Sequence, residues 1–314
     1  MILPPTLQQL KDTVTRLSGA RAVGVARCEP VEEEVERLRR LWIAEGCHAE
    51  MKYLERYSDI RRDPRLLLPG TQSIIMTAFG YANPEAAKQI ENSGAPIIAE
   101  YALGEDYHVV IRKRLEDVAR ELTSTYGGET RVCVDTAPLR ERYWAQRAGL
   151  GFIGLNNYLI IPGEGAHFYL GAILWTEKTS DGFDKPCNKS SCHRCGACVA
   201  ACPNGALSVE GRLDARRCLS YLTIEHRGEL PHGINLANRL FGCDICRRVC
   251  PHQSVKPDTT AIAEFQARKE IVSLTRDDWE NMSPGRFNAL FRNSAVRRAK
   301  LSKLLDTLKH INSR

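Results

Sequence analysis

Long apolar runs are missing from this sequence. No stretch of about 18 consecutive apolar residues occurs, which is the length that a membrane-spanning helix needs. The first residues, Met1-Ile2-Leu3-Pro4-Pro5, also lack the basic-then-apolar run of a secretory signal peptide. We therefore expect a cytoplasmic protein that does not enter a membrane.

Cysteine, in contrast, is abundant. Twelve of the 314 residues are cysteine, and hydrophobic residues make up 43% of the chain. This length and composition predict a folded protein of about two domains. A reducing compartment disfavours disulfides, so twelve cysteines in an intracellular chain are better interpreted as metal ligands with a few buried thiols.

Positive charge is concentrated at the end of the chain. The formal net charge is +6, yet residues 286–314 hold eight Lys or Arg side chains against the single acid Asp306, so the rest of the chain is near neutral. The same segment has apolar stripes at helical spacing. Such a segment either meets phosphate groups or is solvated on its charged face, and both interpretations stay open.

Strand-like and helical patterns alternate over residues 1–180, which predicts an α/β (α+β) domain. A helix over 106–126 has apolar residues at i, i+4, i+7 and i+11, and an earlier helix is predicted with Val31, Val35, Leu38 and Trp42 on one face. The predicted strands are Ala22–Ala26, Ser73–Phe79, Arg131–Val134, Tyr158–Ile161 and Tyr169–Trp175. Composition changes at 178–186, so we predict boundaries that give 1–180, a cysteine-containing domain 181–258, and a basic helical segment 259–314.

The cysteines of the second domain follow a ferredoxin pattern. The first motif is the run that binds 4Fe-4S clusters in bacterial ferredoxins, Cys192-x2-Cys195-x2-Cys198-x3-Cys202-Pro203. A second copy, Cys243-x2-Cys246-x3-Cys250-Pro251, lacks its first cysteine, and Cys218 is the obvious substitute. Exchange of ligands between the motifs predicts two sets: Cys192, Cys195, Cys198 and Cys250 for one cluster, and Cys202, Cys218, Cys243 and Cys246 for the other.

Zinc is the competing interpretation of these cysteines. Two four-cysteine zinc sites would also use paired C-x2-C knuckles. Three cysteines at successive x2 spacing, ending in C-x3-C-P, favour a cubane. The remaining cysteines, Cys28, Cys47, Cys133 and Cys187, are expected to be small buried thiols, although Cys187 lies close enough to Cys192 in sequence to compete as a ligand.

Three shorter motifs each have a functional and a purely structural interpretation. Gly149-x-Gly151-x-x-Gly154 resembles a dinucleotide fingerprint but follows a predicted helix instead of a strand, so no dinucleotide site is expected. Asp135 ends a predicted strand, where it is either a cap or turn residue or, if burial raises its pKa, a proton donor. Asp106-x-His108 begins like the cobalamin motif D-x-H-x-x-G, but Ile111 replaces the glycine, so His108 is not expected to bind cobalt.

Several segments together resemble the epoxyqueuosine reductase family over about residues 1–300. They are Met51–Leu54, Tyr101–His108, Val134–Pro138, Gly151–Gly154, Ser220–Gly228 and Phe241–Cys246. The resemblance implies a cobalamin-dependent enzyme, related to reductive dehalogenases, that reduces epoxyqueuosine to queuosine at the wobble position of tRNA. Electrons would pass singly through two 4Fe-4S clusters to a cobalamin without an axial protein ligand.

The resemblance also implies roles for single residues. Asp135 would be the proton donor and would contact the cobalamin, which would also be lined by the segments around Tyr57, His108, Asn157, Ser220 and Asp244. Arg227 would approach the tRNA.

The resemblance differs at the end of the chain. Many family members continue into a helical repeat domain that grips the tRNA, whereas this sequence stops at Arg314 and resembles a short form. We hypothesise that basic residues of 286–314, among them Arg297, Arg298 and Lys300, partly substitute by neutralising phosphates. A low-potential electron donor and a monomeric state are expected.

Two other functions remain open at this point. One is a plain electron-transfer protein whose first domain docks a partner enzyme. The other is a dehalogenase-like cobalamin enzyme that acts on a small electrophile.

Overall fold

The computed structural model describes residues 3–187, 191–253 and 257–312. Its strands are β1 (Ala22–Arg27), β2 (Ser73–Gly80), β3 (Ile97–Ile98), β4 (Thr130–Cys133), β5 (Phe152–Ile153), β6 (Leu159–Ile160), β7 (Phe168–Trp175) and β8 (Arg239–Phe241). Its α-helices are α1 (Leu7–Ser18), α2 (Glu33–Ala44), α3 (Ser58–Arg62), α4 (Pro84–Ser93), α5 (Tyr107–Tyr126), α6 (Glu141–Arg147), α7 (Ala197–Ala200), α8 (Leu219–Ile224), α9 (Ile245–Arg248), α10 (Lys269–Val272), α11 (Arg276–Glu280), α12 (Pro284–Leu290) and α13 (Lys300–Asn312).

A four-stranded antiparallel sheet in the order β1-β2-β7-β4 organises the first part of the chain. Helices α1 and α5 cover one face and α6 covers the other. The helices approach closely because glycines stand where they cross the strands: a Cβ on Gly171 would lie 2.7 Å from Leu115, and one on Gly24 would lie 2.0 Å from the Ala148 carbonyl oxygen. The predicted mixed α/β (α+β) class is confirmed, with an antiparallel sheet.

Helix α5 shows why the predicted periodicity was a reliable signal. The side chain of Asp106 caps its start by accepting the backbone N–H of His108 at 3.0 Å. The residues at the predicted apolar positions, Ile111, Leu115, Val118 and Leu122, are all fully buried against the sheet. Helix α2 differs, because Leu38 is 53% exposed and the neighbouring Glu36 is buried instead.

The later parts of the chain pack onto the first. Strand β3 pairs in parallel with β8, which follows it by about 140 residues. A third core combines Ile90, Leu103 and Phe241 with the helices of 269–312, including Trp279 and Leu304. The division at residues 180 and 258 stays a prediction. Among the helices of the described residues, none is both long and apolar enough to cross a bilayer.

Candidate active site

The first set of four cysteines surrounds one cavity. A space of about 350 Å³, open on one side, is lined by Cys192, Cys195, Cys198 and Cys250. Burial raises the pKa of Cys250, and the nearby Cys192 and Cys195 raise it further. The chain can wrap this space because Arg194 and Gly196 adopt left-handed backbone conformations just before α7. Cysteines from both motifs therefore meet here, as the exchanged assignment predicts.

The four members of the second set, Cys202, Cys218, Cys243 and Cys246, are all half-buried. Burial raises the pKa of Cys246 well above its usual range, and the pKa is raised further by its neighbours Cys243, Cys218 and Cys202. Cys218 stands just before α8 and Cys243 just after β8, so two elements separated in sequence bring these thiols together. Cys218 and Cys243 both pack against the apolar cluster of Leu219, Leu222 and their neighbours.

The donor chemistry of both sets fits iron-sulfur clusters. Burial raises the pKa of Cys243 to about 11, so an unliganded thiolate at this position is unfavourable. Iron compensates such a charge and keeps a coordinating thiol deprotonated. The first set offers four sulfur atoms from two separated segments, and the second offers four from three. When bound, such clusters supply one-electron transfer, while the protein supplies the thiolates and the apolar surroundings.

The other cysteines behave as the sequence predicted in three cases. Cys28, Cys47 and Cys133 are buried, and burial raises the pKa of Cys28 to about 12 and that of Cys133 to about 11. Such thiols are unreactive at neutral pH. Cys187 is half-buried, and it is not among the residues that line the cavity of the first set.

A carboxylate-imidazole-carboxylate chain lies at the carboxyl end of β4. The Nδ1 atom of His108 is 2.6 Å from Asp106 Oδ1, and its Nε2 atom is 2.9 Å from Asp135 Oδ2. The His108 ring also stacks on Tyr107, which stacks on Tyr169. Both nitrogens of His108 are therefore engaged by protein oxygens, and its ring orientation is fixed.

The charge distribution in this chain differs from the expectation for Asp135. Burial acts to raise the pKa of Asp135, but the hydrogen bond and charge of His108 outweigh it and hold the pKa below 3.8. Burial acts to lower the pKa of His108, but Asp106 and Asp135 raise it to about 9. At neutral pH, Asp135 is therefore a carboxylate and His108 an imidazolium, so the condition that burial raises the pKa of Asp135 is not met in the resting protein.

Asp135 has an unusual backbone as well. Its φ of 46° places it in the left-handed region, which costs a non-glycine residue on the order of 1 kcal/mol or more. It does not cap the following helix, because α6 begins at Glu141. Glu141 Oε1 accepts the backbone N–H of Asp135 at 2.7 Å. Burial, and then the charge of Asp135, raise the pKa of Glu141 to about 8.

Two of the other predicted cobalamin-lining residues share this backbone feature. Tyr57 has φ 57° and Asn157 has φ 62°. The Tyr57 side chain is exposed, whereas Asn157 is half-buried in the turn between β5 and β6. Ser220, in α8, makes a side-chain hydrogen bond to Cys218 and so touches the second cysteine set.

Asp244 belongs to a buried polar network. Its carboxylate accepts the backbone N–H of Glu100 at 2.8 Å and pairs with Arg247 at 3.2 Å, while Arg247 also pairs with Glu100 at 2.8 Å. Arg247 is fully buried, and Asp244 is 4% exposed. The side chain of Asp244 therefore braces the segment between Cys243 and Cys246.

The predicted tRNA contacts divide into two groups. Arg227 donates to the backbone oxygen of Arg298 at 3.4 Å, and Arg298 pairs with Glu225 at 2.5 Å. The charge of Arg298 also lowers the pKa of Asp135, which places Arg298 near that carboxylate. Arg297 and Lys300 are exposed on the same turn, Ala295–Ala299, and at the start of α13, but no such interaction ties them to Asp135.

The basic end of the chain is not a free helix. Leu304, Thr307 and Leu308 of α13 are buried in the third core, and Lys303 is 8% exposed. Burial lowers the pKa of Lys303. The exposed cations of the described residues 286–312 are spread along the segment: Arg286, Arg292, Arg297, Arg298, Lys300 and Lys309.

The glycine motif proved to be a turn. It follows α6, and a Cβ on Gly151 would lie 2.2 Å from the Ile160 carbonyl oxygen, so the glycine permits the close pairing of β5 with β6. Sequence reasoning missed Glu141 and Arg142. The available signal was a run of alternating charge, Arg140-Glu141-Arg142, shortly after the Asp135 turn.

Comparison with known families covers both parts of this site. Residues 61–136 match the family described as "Epoxyqueuosine reductase QueG, DUF1730", a range that includes Asp106, His108 and Asp135. Residues 191–253 match the "4Fe-4S double cluster binding domain", which favours iron-sulfur clusters over zinc.

Relatives match over nearly the whole chain. The epoxyqueuosine reductase of Cyclobacterium marinum is 35% identical over 297 residues, which cover 93% of this chain and 92% of the relative. A crystal structure of epoxyqueuosine reductase with a tRNA-Tyr epoxyqueuosine-modified stem loop has a TM-score of 0.80 and 26% identity, covering 96% of this chain and 81% of that chain.

A second solved structure also matches nearly the whole chain. It is the epoxyqueuosine reductase from Bacillus subtilis with an aspartate-bearing catalytic loop swung out of the active site, and it has a TM-score of 0.81 and 26% identity over 96% of this chain and 81% of that chain. The resemblance inferred from the sequence motifs is confirmed, and the chain belongs to the epoxyqueuosine reductase family.

Proposed function

We propose that this protein reduces epoxyqueuosine to queuosine in tRNA, using two 4Fe-4S clusters and cobalamin. The net reaction removes the epoxide oxygen as water and leaves an alkene, so it consumes two electrons and two protons. The observation that carries the proposal is the ion pair of Asp135 and His108 at 2.9 Å, in a chain whose eight motif cysteines gather into two exchanged sets.

The proton is supplied by the pair rather than by Asp135 alone. Opening an epoxide leaves negative charge on oxygen, which a nearby acid can neutralise. His108 carries the proton at neutral pH, since its pKa is about 9, and Asp135 is within hydrogen-bond distance of it. The proton would therefore start on His108 Nε2 and pass through Asp135 Oδ2 to the substrate oxygen, which leaves His108 neutral and Asp135 again a carboxylate.

The surroundings of Asp135 fit a cobalamin. When bound, cobalamin supplies low-valent cobalt for reductive opening of the epoxide. His108 offers no free nitrogen for an axial bond, which agrees with the missing glycine at Ile111. Tyr53, whose ring is 43% exposed, lies within electrostatic reach of Asp135 and offers an aromatic surface for a flat macrocycle. Tyr57, Asn157 and Ser220 would contact the same cofactor, and Asp244 would support the chain beside it.

The basic residues near Asp135 would receive the tRNA. Arg227 and Arg298 lie together and next to the proposed proton donor, so phosphates bound there would bring the modified nucleotide to the reacting groups. Arg297 and Lys300 would add a more distant contribution. The solved relative with a bound stem loop supports tRNA as the substrate class.

The remaining assignments concern the cellular setting. Electrons would come from a low-potential donor, and Cys195, the exposed cysteine of the first set, marks where they enter. We further propose a cytoplasmic, monomeric enzyme.

Anaerobic reconstitution tests the function directly. The protein loaded with iron, sulfide and cobalamin is mixed with dithionite and tRNA that contains epoxyqueuosine, and the nucleosides are measured by mass spectrometry. Wild type is expected to form queuosine. Asp135→Asn is expected to bind cobalamin, seen in its absorption spectrum, while turnover falls by about 10²- to 10⁴-fold.

The matched control is Asp117→Asn, which changes an exposed carboxylate of α5. A fully active Asp135→Asn variant would remove Asp135 from the mechanism. Loaded wild type that leaves epoxyqueuosine unchanged contradicts the function itself, and failure to bind cobalamin with both clusters intact would favour the electron-transfer protein.

A further inference from the structure

Three consecutive residues at the start of α6, numbered 140–142, connect to three segments of the site that contain a left-handed non-glycine residue. Glu141 accepts the backbone N–H of Asp135 at 2.7 Å. Arg142 donates to the backbone oxygen of Asn157. Asp135 and Asn157 are both non-glycine residues in the left-handed region, where a fixed partner is needed to offset the strain.

The third side chain acts through a buried ion network. Arg140 pairs with Glu36, which is 1% exposed, and Glu36 pairs with Arg39 at 2.9 Å. Arg39 in turn donates to the backbone oxygen of Leu54 at 3.2 Å and to the Ser58 hydroxyl at 3.0 Å. These two contacts bracket Tyr57, the remaining left-handed residue of the predicted cofactor site.

We propose that the first turn of α6 positions the active site, and that Glu141 is the residue that holds Asp135 in its reactive orientation through the Asp135 backbone. The proposal rests on the proposed function and deepens it. Glu141 touches no substrate and is a positioning residue. Arg142 performs the same task for the turn that carries Asn157.

Glu141 is suited to accept the backbone N–H of Asp135 as a neutral carboxyl group, and it does not need to carry a negative charge. Asp135 carries a negative charge, so an ionised Glu141 beside it would be repelled. The pKa of Glu141 is raised to about 8 by burial and by Asp135, and a neutral carboxyl group still accepts a backbone N–H through its carbonyl oxygen. Glutamine has the same shape and the same acceptor.

Among the described residues, the hydrogen bonds that hold Asp135 itself come from Glu141 to its backbone and from His108 and Tyr107 to its side chain. The rest of the turn has short-range bonds from Thr136 to Val134 and from Leu139 to Ala137, and Leu139 packs in the core around α6. In the solved Bacillus subtilis relative, an aspartate-bearing catalytic loop is swung out of the active site, which shows that such a loop can move. Loss of the Glu141 contact should therefore release the turn in this chain.

Three substitutions separate the acceptor from the charge. Glu141→Gln keeps the acceptor and its reach, Glu141→Asp keeps the carboxyl group but withdraws it by one carbon, and Glu141→Leu removes both. Glu116→Gln and Glu116→Leu, on the exposed face of α5, are the matched controls.

The first measurement does not depend on activity. Hydrogen exchange of the peptide that contains Asp135 is followed by mass spectrometry in the cluster-loaded, cobalamin-free protein. Exchange of that peptide is expected to accelerate about tenfold or more in Glu141→Asp and Glu141→Leu, and to stay near wild type in Glu141→Gln.

Turnover is then compared at saturating tRNA. We expect kcat to fall about 100-fold in Glu141→Leu and less in Glu141→Asp, with KM for tRNA within about twofold, while Glu141→Gln keeps most of the activity. Equal exchange and turnover in all variants would overturn the proposal. So would Glu141→Gln being more impaired than Glu141→Asp, which remains decisive if the leucine variant does not fold. An inactive wild type with the expected exchange pattern would count against the proposed function and not against the positioning role.

Discussion

Asp106 offers a clean way to test the proton source. Its carboxylate is 2.6 Å from His108 Nδ1, and it also caps α5 through the His108 backbone N–H. Asparagine caps a helix about as well as aspartate, so Asp106→Asn removes the charge while it preserves the helix start. The variant therefore changes the pKa of His108 with little change in the fold.

The size of the effect follows from the pKa of His108. Raising it from 6.5 to about 9 corresponds to about 3.4 kcal/mol, at 1.36 kcal/mol per pH unit. This is the net value after burial has acted in the opposite direction, so the two carboxylates together contribute at least this much. The side chain of Asp135 is 54% exposed against 28% for Asp106, so water screens Asp135 more strongly. We assign roughly 1.5 to 2 kcal/mol to Asp106, which lowers the pKa of His108 to roughly 7.5 to 8 in the variant.

The sign of the pH dependence is set by the protonated imidazole. His108 can supply a proton only below its pKa, so turnover should be lost as pH rises through about 9 in wild type. In Asp106→Asn the same loss should occur between about 7.5 and 8. Stability linked to His108 follows the same direction, because a raised pKa stabilises the fold below 6.5 and this contribution disappears as pH rises through about 9.

The assay is kcat against pH from about 6 to 10, at saturating tRNA and excess dithionite, for wild type, Asp106→Asn and the surface control Asp117→Asn. An unshifted basic limb in Asp106→Asn would refute the assignment of the proton to His108. An equal shift in the control would show that the effect comes from general charge and not from the contact with His108.

Two further predictions concern the tRNA and the clusters. Arg298→Glu should weaken tRNA binding and reduce the slope of the logarithm of the tRNA binding constant against the logarithm of salt concentration by about 1. The control Arg120→Glu, on the exposed face of α5, should change neither the affinity nor the slope. Equal effects of the two variants would show that Arg298 is not part of the tRNA interface. Each cysteine set combines both motifs, so the position of the substitutions decides how many clusters are lost. The double variant Cys192→Ser/Cys250→Ser changes one set and should keep one intact 4Fe-4S cluster, whereas Cys192→Ser/Cys202→Ser changes both sets and should keep none. Iron content and electron paramagnetic resonance after reduction measure the number of clusters. The reverse result would indicate that each cluster is bound by the cysteines of a single motif.

Local patterns in the sequence were enough for several elements of the first part of the chain. The apolar spacing of 106–126 predicted α5 and its buried face, and the division of the motif cysteines into two ligand sets stays a prediction. The prediction that Leu38 lies on the buried face of its helix was wrong. Helical spacing alone cannot show that Glu36, on the same helix, is buried in an ion pair with Arg140, which lies about 100 residues later in the chain.

The electrostatics of the site depended on similar distant contacts. The sequence left open whether burial raises the pKa of Asp135, and burial does act in that direction. The deciding group is His108, which comes from the start of a different element and reaches Asp135 only after α5 packs beside β4. The role of Glu141 likewise depends on a turn geometry that a charge pattern does not encode.

The interleaving of the cysteines has a consequence for how the protein matures. The second set is complete only when Cys246 has been synthesised and the first only when Cys250 has, although the earliest member of either is Cys192. Strand β3 likewise can pair only after β8 has been synthesised. A ribosome-bound chain that already contains the whole sheet thus holds no finished electron path, so iron and sulfide must be delivered after most of the polypeptide has emerged.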